Sequence, residues 1–112
     1  MGPYEVNEKD WKLFRQKLPG WQEAYMDRLN REYVALLTGQ GKASDKFWKL
    51  EERIRNDKRS VGVVADMRRS MMYNNILSLI DDDVIGLKDL EGFSEELRGK
   101  IEFVTRSKSE AK

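Results

Sequence analysis

Lys17-Leu18-Pro19-Gly20-Trp21-Gln22 decides how many helices the first third of the chain holds. A proline inside a helix removes a backbone donor, and its ring collides with the carbonyl four residues earlier. In the first turn it costs nothing, because the N–H there is unpaired anyway. Pro19-Gly20 is therefore read as a boundary, with one helix ending at Leu18 and the next opening at Pro19 or Gly20. Upstream, Asn7 is a good N-cap, Asp10 sits at the third helical position, and Val6 can pack on Trp11 across the cap. Trp11, Phe14 and Leu18 share a face. Downstream, Trp21, Tyr25, Leu29, Tyr33 and Leu36 form a stripe that runs to Thr38, and Gly39 and Gly41 suit a stop and a loop.

Beyond the glycines the helical pattern resumes. Ser44 is read as the cap of a third helix, with Asp45 in its first turn and Phe47, Leu50 and Ile54 as its apolar face. That helix ends near Lys58 and Arg59. After Gly62 a fourth helix is expected over residues 63–80, and its second half is apolar over much of its circumference. Leu87, Leu90 and Phe93 suit a short turn, and Ser94 caps a last helix whose face is Leu97, Ile101 and Val104. The sequence thus predicts an all-α fold: a compact bundle of four main helices plus a short C-terminal helical unit. One domain is expected over 1–106 and a disordered tail over 107–112. The expected core draws on Trp11, Phe14, Trp21, Tyr25, Leu29, Leu36, Phe47, Leu50, Ile54, Met67, Leu77, Ile80, Leu90, Leu97 and Ile101.

A chain of 112 residues has room for one core. It contains no cysteine and no histidine, which removes disulfides, thiol nucleophiles, Cys/His zinc sites and imidazole acid–base chemistry together. Any metal site would have to be built of oxygens. No apolar run approaches the roughly 18–20 residues of a membrane span, and the N-terminus lacks the basic-then-apolar pattern of a signal peptide. A cytoplasmic chain without a cofactor is expected.

Three stretches invite a functional reading. Asp81-Asp82-Asp83-Val84-Ile85-Gly86 resembles the start of a calcium loop, with acids at positions 1 and 3 and glycine at 6. Position 5 is Ile85 and position 12 is Gly92, so two required oxygen ligands are missing and no calcium binding is expected. The stretch is better read as a terminator of the fourth helix, since its acids oppose the helix dipole. Residues 81–96 carry a net −6, which could meet the net +4 of residues 42–69. That basic segment could be drawn as a helix-turn-helix using Lys49, Arg53, Arg55, Arg59, Arg68 and Arg69 on nucleic acid. Yet Asp45/Lys49 and Glu51/Arg55 are neutralising i, i+4 pairs, and the would-be reading helix opens on apolar groups and an acid. A solvated, ion-paired face is the stronger reading there.

The third stretch is the set of aromatics. Three tryptophans are many for so small a chain, and indole and phenol rings suit interfaces, where they bury area and keep a polar handle. Trp48 lies off its helix's apolar line, and Met71 and Met72 widen the stripe of the fourth helix. Trp48, Tyr33, Met71 and Met72 are the candidate partner-binding residues.

Some phrases also carry a resemblance. Leu18-Pro19-Gly20-Trp21-Gln22-Glu23-Ala24-Tyr25-Met26, Lys46-Phe47-Trp48-Lys49-Leu50-Glu51-Glu52-Arg53-Ile54 and Leu90-Glu91-Gly92-Phe93-Ser94-Glu95-Glu96-Leu97 are similar to a family of short bacterial helical proteins of unknown function, sometimes labelled "multidrug transporter". The resemblance implies a bacterial origin and no catalytic residues; without a membrane span the chain cannot itself be an integral transporter. From the residues, the leading expectation is a non-enzymatic module, adaptor, inhibitor or regulator, that binds a protein partner or a second copy. A small nucleic-acid-binding transcriptional regulator is the alternative.

Overall fold

The computed structural model describes residues 5–110, and within them the chain is all-α. Four α-helices are formed: α1 (Glu8–Thr38), α2 (Ala43–Asp57), α3 (Met72–Asp81) and α4 (Glu95–Glu110). Two 3-10 turns, Arg69–Met71 and Leu87–Leu90, lie on either side of α3. The molecule measures 52 × 32 × 21 Å, and its long dimension matches α1, whose 31 residues rise about 46 Å.

The boundary expected at Pro19 is not there. α1 runs through it as one helix, capped by Asn7, whose side chain accepts from the amides of Lys9 (2.8 Å) and Asp10 (3.4 Å). An interior proline costs about 3 kcal/mol. What outweighs it is a ladder of rings that only an unbroken helix aligns. Trp11, Phe14 and Trp21 lie at centroid spacings of 6.1 and 6.4 Å, and Trp21 reaches Phe93 at 6.4 Å. Phe14 and Leu18 are fully or nearly buried, each contributing about 1.5–3 kcal/mol. Pro19 and Gly20 themselves are exposed. A methyl group added at Gly20 would meet nothing within 4 Å. Gly20→Ala should therefore stabilise the fold by about 0.5–1 kcal/mol, read as a rise of a few degrees in thermal midpoint. An unchanged or lowered midpoint would show that α1 needs flexibility at this point.

The core lies at the N-terminal end of α1. Phe14 and Leu18 meet Met72, Ile76 and Leu79 of α3, then Ile85, Leu90 and Phe93, and finally Leu97 and Ile101 of α4. Val6, Trp11, Trp21, Leu77 and Ile80 pack against this cluster from its edge. The fourth helix is shorter than its pattern suggested, because residues 63–68 are irregular and α3 starts only at Met72. β-Branched Val61, Val63 and Val64 disfavour a helix there. The buried side chain of Asn75 donates to the backbone carbonyl of Asp66 (2.9 Å), an acceptor that a helix would have occupied. Met67, expected in the core, is consequently 43% exposed.

The acidic corner behaves as a terminator. Asp83 takes the left-handed conformation (φ 57°). The amide of Val84 donates to Leu79 (2.8 Å) and that of Asp83 to Ile80 (3.1 Å), the two bonds of a Schellman cap. Ile85, which stood where a calcium loop needs an oxygen, is buried in the core. The acids do not meet the basic 42–69 segment in an ion pair. Asp81 binds Lys108 (2.9 Å), and Asp82 accepts from the Ser60 hydroxyl (2.8 Å). The Lys108 contact belongs to α4, which continues to Glu110, past Arg106, so residues 107–110 are helical where a disordered tail was expected. Residues 111 and 112 of that expected tail lie outside the described residues.

Candidate interaction surface

Beyond Tyr25, α1 leaves the core and runs alongside α2 as an antiparallel arm, closed at its tip by residues 39–42. Gln22 at the base of the arm donates to the Val61 carbonyl (3.0 Å). α2 starts at Ala43 with Lys42 in the cap position and no capping side chain, so Ser44 lies inside the first turn rather than ahead of it.

The rotation of α2 about its own axis sets the character of the arm. Its half-buried positions are Lys46, Leu50, Arg53 and Asp57, a helical row in which three of four are charged. Arg53 pairs with Glu32 of α1 (2.8 Å) and lies 5.5 Å from the centre of the Tyr33 ring. The Tyr33 hydroxyl donates to Asp57. This row, polar but for Leu50, faces α1. Phe47 and Trp48 remain 61% and 63% exposed, Ile54 is 37% exposed, and no residue of α2 is fully buried. The expectation that Phe47 and Ile54 belong to the core is therefore corrected. On α1, Leu37 is also exposed.

Two shallow troughs follow from this arrangement. One, of about 410 Å³, runs along α2 past Phe47, Leu50, Glu51 and Ile54 to Lys58. The other, of about 290 Å³, lies between Met26, Leu29 and Tyr33 of α1 and Ile54 of α2, and reaches Val63. Ile54 and Lys58 belong to both, so the two make one continuous face. Phe47 and Trp48 sit edge to face at 4.9 Å at its outer end.

Burial, then the hydrogen bond to Asp57 and that carboxylate's negative charge, push the Tyr33 phenol up to about 12. Unfolded, it ionises near pH 10. Folding thus favours the protonated ring. That contribution is complete below about pH 10 and is lost as the pH rises toward about 12. Absorbance titration of the wild type minus a Tyr33→Phe variant should show this phenol ionising well above pH 10, toward about 12. Ionisation near pH 10 would show that the seam does not form.

The four candidate partner residues are not brought together. Trp48 stands out on the arm, and Tyr33 is turned into the seam. Met71 is half-buried in a 3-10 turn, and Met72 is fully buried in the core, so it is no surface residue. The nucleic-acid candidates are largely engaged within the chain. Besides Arg53 with Glu32, Arg55 pairs with Glu51, Arg68 with Asp66 and Arg69 with Glu8. Lys49 and Arg59 are exposed. The helix that would have read a groove is not formed, since residues 63–68 are irregular. Sequence reasoning missed Phe47 and Ile54. The available signal was Arg53 and Asp57, whose charges match Glu32 and Tyr33 on the facing helix and compete for the inner side.

Among the described residues no group of three or more acids is gathered where it could hold a metal ion, and no helix is long and apolar enough to cross a membrane. Comparison with protein-family profiles, with curated proteins and with solved structures finds no match.

Proposed function

We propose that this chain is a non-enzymatic protein-interaction module whose docking surface is the open face of the α1–α2 arm. One observation carries the reading: a helix with a continuous apolar stripe, none of which is fully buried and whose Phe47 end stands 61% exposed. Single exposed hydrophobic residues are ordinary, but a contiguous patch rimmed by charge is the usual mark of an interface. Its composition fits too, with an aromatic pair at one end, aliphatic residues in the middle, and Glu51, Arg55 and Lys58 along the rim. Aromatic side chains of this kind carry a large share of binding energy when a partner covers them.

The test is capture on immobilised wild type beside a Phe47→Asp/Ile54→Asp variant. A polypeptide retained by the first and lost by the second, with circular dichroism unchanged, supports the reading. Equal retention by both, or none by either together with a strictly monomeric chain, would remove it. Retention of DNA or RNA that falls steeply with salt would instead favour the nucleic-acid reading.

A further inference from the structure

We propose that a second copy of this chain covers the arm: the two α2 helices cross antiparallel about a two-fold axis near Leu50, and the two arms close into a four-helix bundle. The inference rests on the reading of the arm as an interaction surface and supplies its occupant.

The first argument is self-complementarity. A two-fold contact needs a patch that matches itself when reversed. Phe47, Leu50 and Ile54 are spaced three and four apart, so reversal about Leu50 lays Phe47 of each copy on Ile54 of the other and brings the two Leu50 side chains together. Helical stripes with this spacing pack as knobs into holes in antiparallel bundles.

Area is the second argument. Phe47 and Trp48, each about 60% exposed, leave on the order of 250 Å² of ring surface in water. With Leu50, Ile54 and the apolar walls of the two troughs, the apolar patch is on the order of 500 Å², toward the upper end of what a monomer shows. Homodimer interfaces are roughly 65% apolar, so such a patch implies about 800 Å² per copy, the size of a standard stable interface.

Charge and local stability agree. Residues 20–60 hold seven acids and nine bases, so two arms approach with little net repulsion. Each face presents Glu51 beside Arg55 and Asp57 beside Lys58, both signs on one surface. A 15-residue helix with no fully buried residue is marginal in water. Its seam with α1 rests on the part-exposed Arg53–Glu32 ion pair and the Tyr33–Asp57 hydrogen bond, each a modest contribution. A second copy supplies the burial that the arm lacks.

Sedimentation equilibrium from micromolar to hundreds of micromolar should show twice the 13.2 kDa chain mass at the upper end. Phe47→Asp should weaken self-association by on the order of 30-fold or more. Because Phe47 is exposed, the fold should survive, as circular dichroism would confirm. Phe103→Asp, at a 60% exposed position on α4, should leave the dimer intact. The chain has no cysteine, so Leu50→Cys provides a single thiol. A short bis-maleimide should join two Leu50→Cys copies and spare an Arg31→Cys control. A wild type that stays monomeric throughout overturns the dimer, as does one disrupted by Phe103→Asp and untouched by Phe47→Asp. A dimer that Leu50→Cys fails to crosslink overturns the two-fold arrangement. A monomer that still captures a polypeptide through Phe47 and Ile54 would leave the docking surface standing with a different occupant.

Discussion

Asp10→Ala should lower stability by about 3–4 kcal/mol, a drop of roughly 10–20 °C in thermal midpoint. Asp10 is 2% exposed, in the first turn of α1. Across the core it accepts from both the amide (2.8 Å) and the hydroxyl (2.6 Å) of Ser94. Ser94 in turn caps α4, because its Oγ accepts from the Leu97 amide (3.2 Å). One carboxylate therefore joins the starts of two helices far apart in sequence, and its charge lies on the favourable end of the α4 dipole. Alanine would leave the Ser94 donors without this acceptor in a water-poor site, which costs more than the bonds return when made. Asn retains one acceptor oxygen but turns an NH₂ toward donors, so Asp10→Asn should fall between wild type and alanine. Ser94→Ala should cost less than Asp10→Ala, since the backbone donor survives, and the double variant should cost less than the two singles added. Thermal melts of these four chains decide the matter. A loss below about 1 kcal/mol for Asp10→Ala would mean that the link is not what holds α1 to α4.

Gly62→Ala should cost about 2–4 kcal/mol, through crowding and not through loss of a bond. A Cβ at this position would stand 2.4 Å from Cδ2 of Tyr25 and 2.8 Å from Cγ2 of Val84. Both neighbours would have to move. The Tyr25 ring is half-buried beneath the Arg28 guanidinium, at 5.0 Å, and can swing only by giving up that contact. The same turn holds the base of the arm, through Gln22 to Val61 and Ser60 to Asp82. The variant should therefore show a changed near-ultraviolet aromatic signal together with a lower midpoint. Gly20→Ala is the internal contrast, the same substitution in open space with the opposite sign. If both changes shift stability alike, the tight packing at Gly62 is not the cause.

Local signals in this chain were dependable where a residue acts within one turn of itself. The Asn7 cap, the Ser94 cap, the stop after Thr38 and the fold-back through Leu90 and Phe93 stand where the sequence places them. The core was legible in part. Phe14, Leu90, Leu97 and Ile101 are buried as expected. α3, however, buries Met72, Ile76 and Leu79 and leaves the expected Leu77 and Ile80 at the edge, because a helix apolar over much of its circumference does not say which side turns inward. The candidate surface was legible in Trp48 and illegible in Phe47 and Ile54. Those two satisfy every rule for core residues, and only the competing claim of Arg53 and Asp57 on the inner side turns them out.

By itself, then, the sequence determined an all-α chain, its caps and stops, and which residues are apolar enough to be core. Tertiary structure decided three things that local rules weigh wrongly. α1 passes unbroken through Pro19, because Phe14 before it and Trp21 after it meet edge to face, Trp21 goes on to Phe93, and these contacts outweigh one lost hydrogen bond. Residues 63–68 leave the helix, because Asn75 takes a carbonyl that a helix would have occupied. α2 turns Phe47, Trp48 and the edge of Ile54 to water, because a helix has two sides to offer and the facing one is chosen by what α1 presents there: Glu32 and Tyr33, which Arg53 and Asp57 meet. Periodicity defines a face; only the neighbour decides which way that face points.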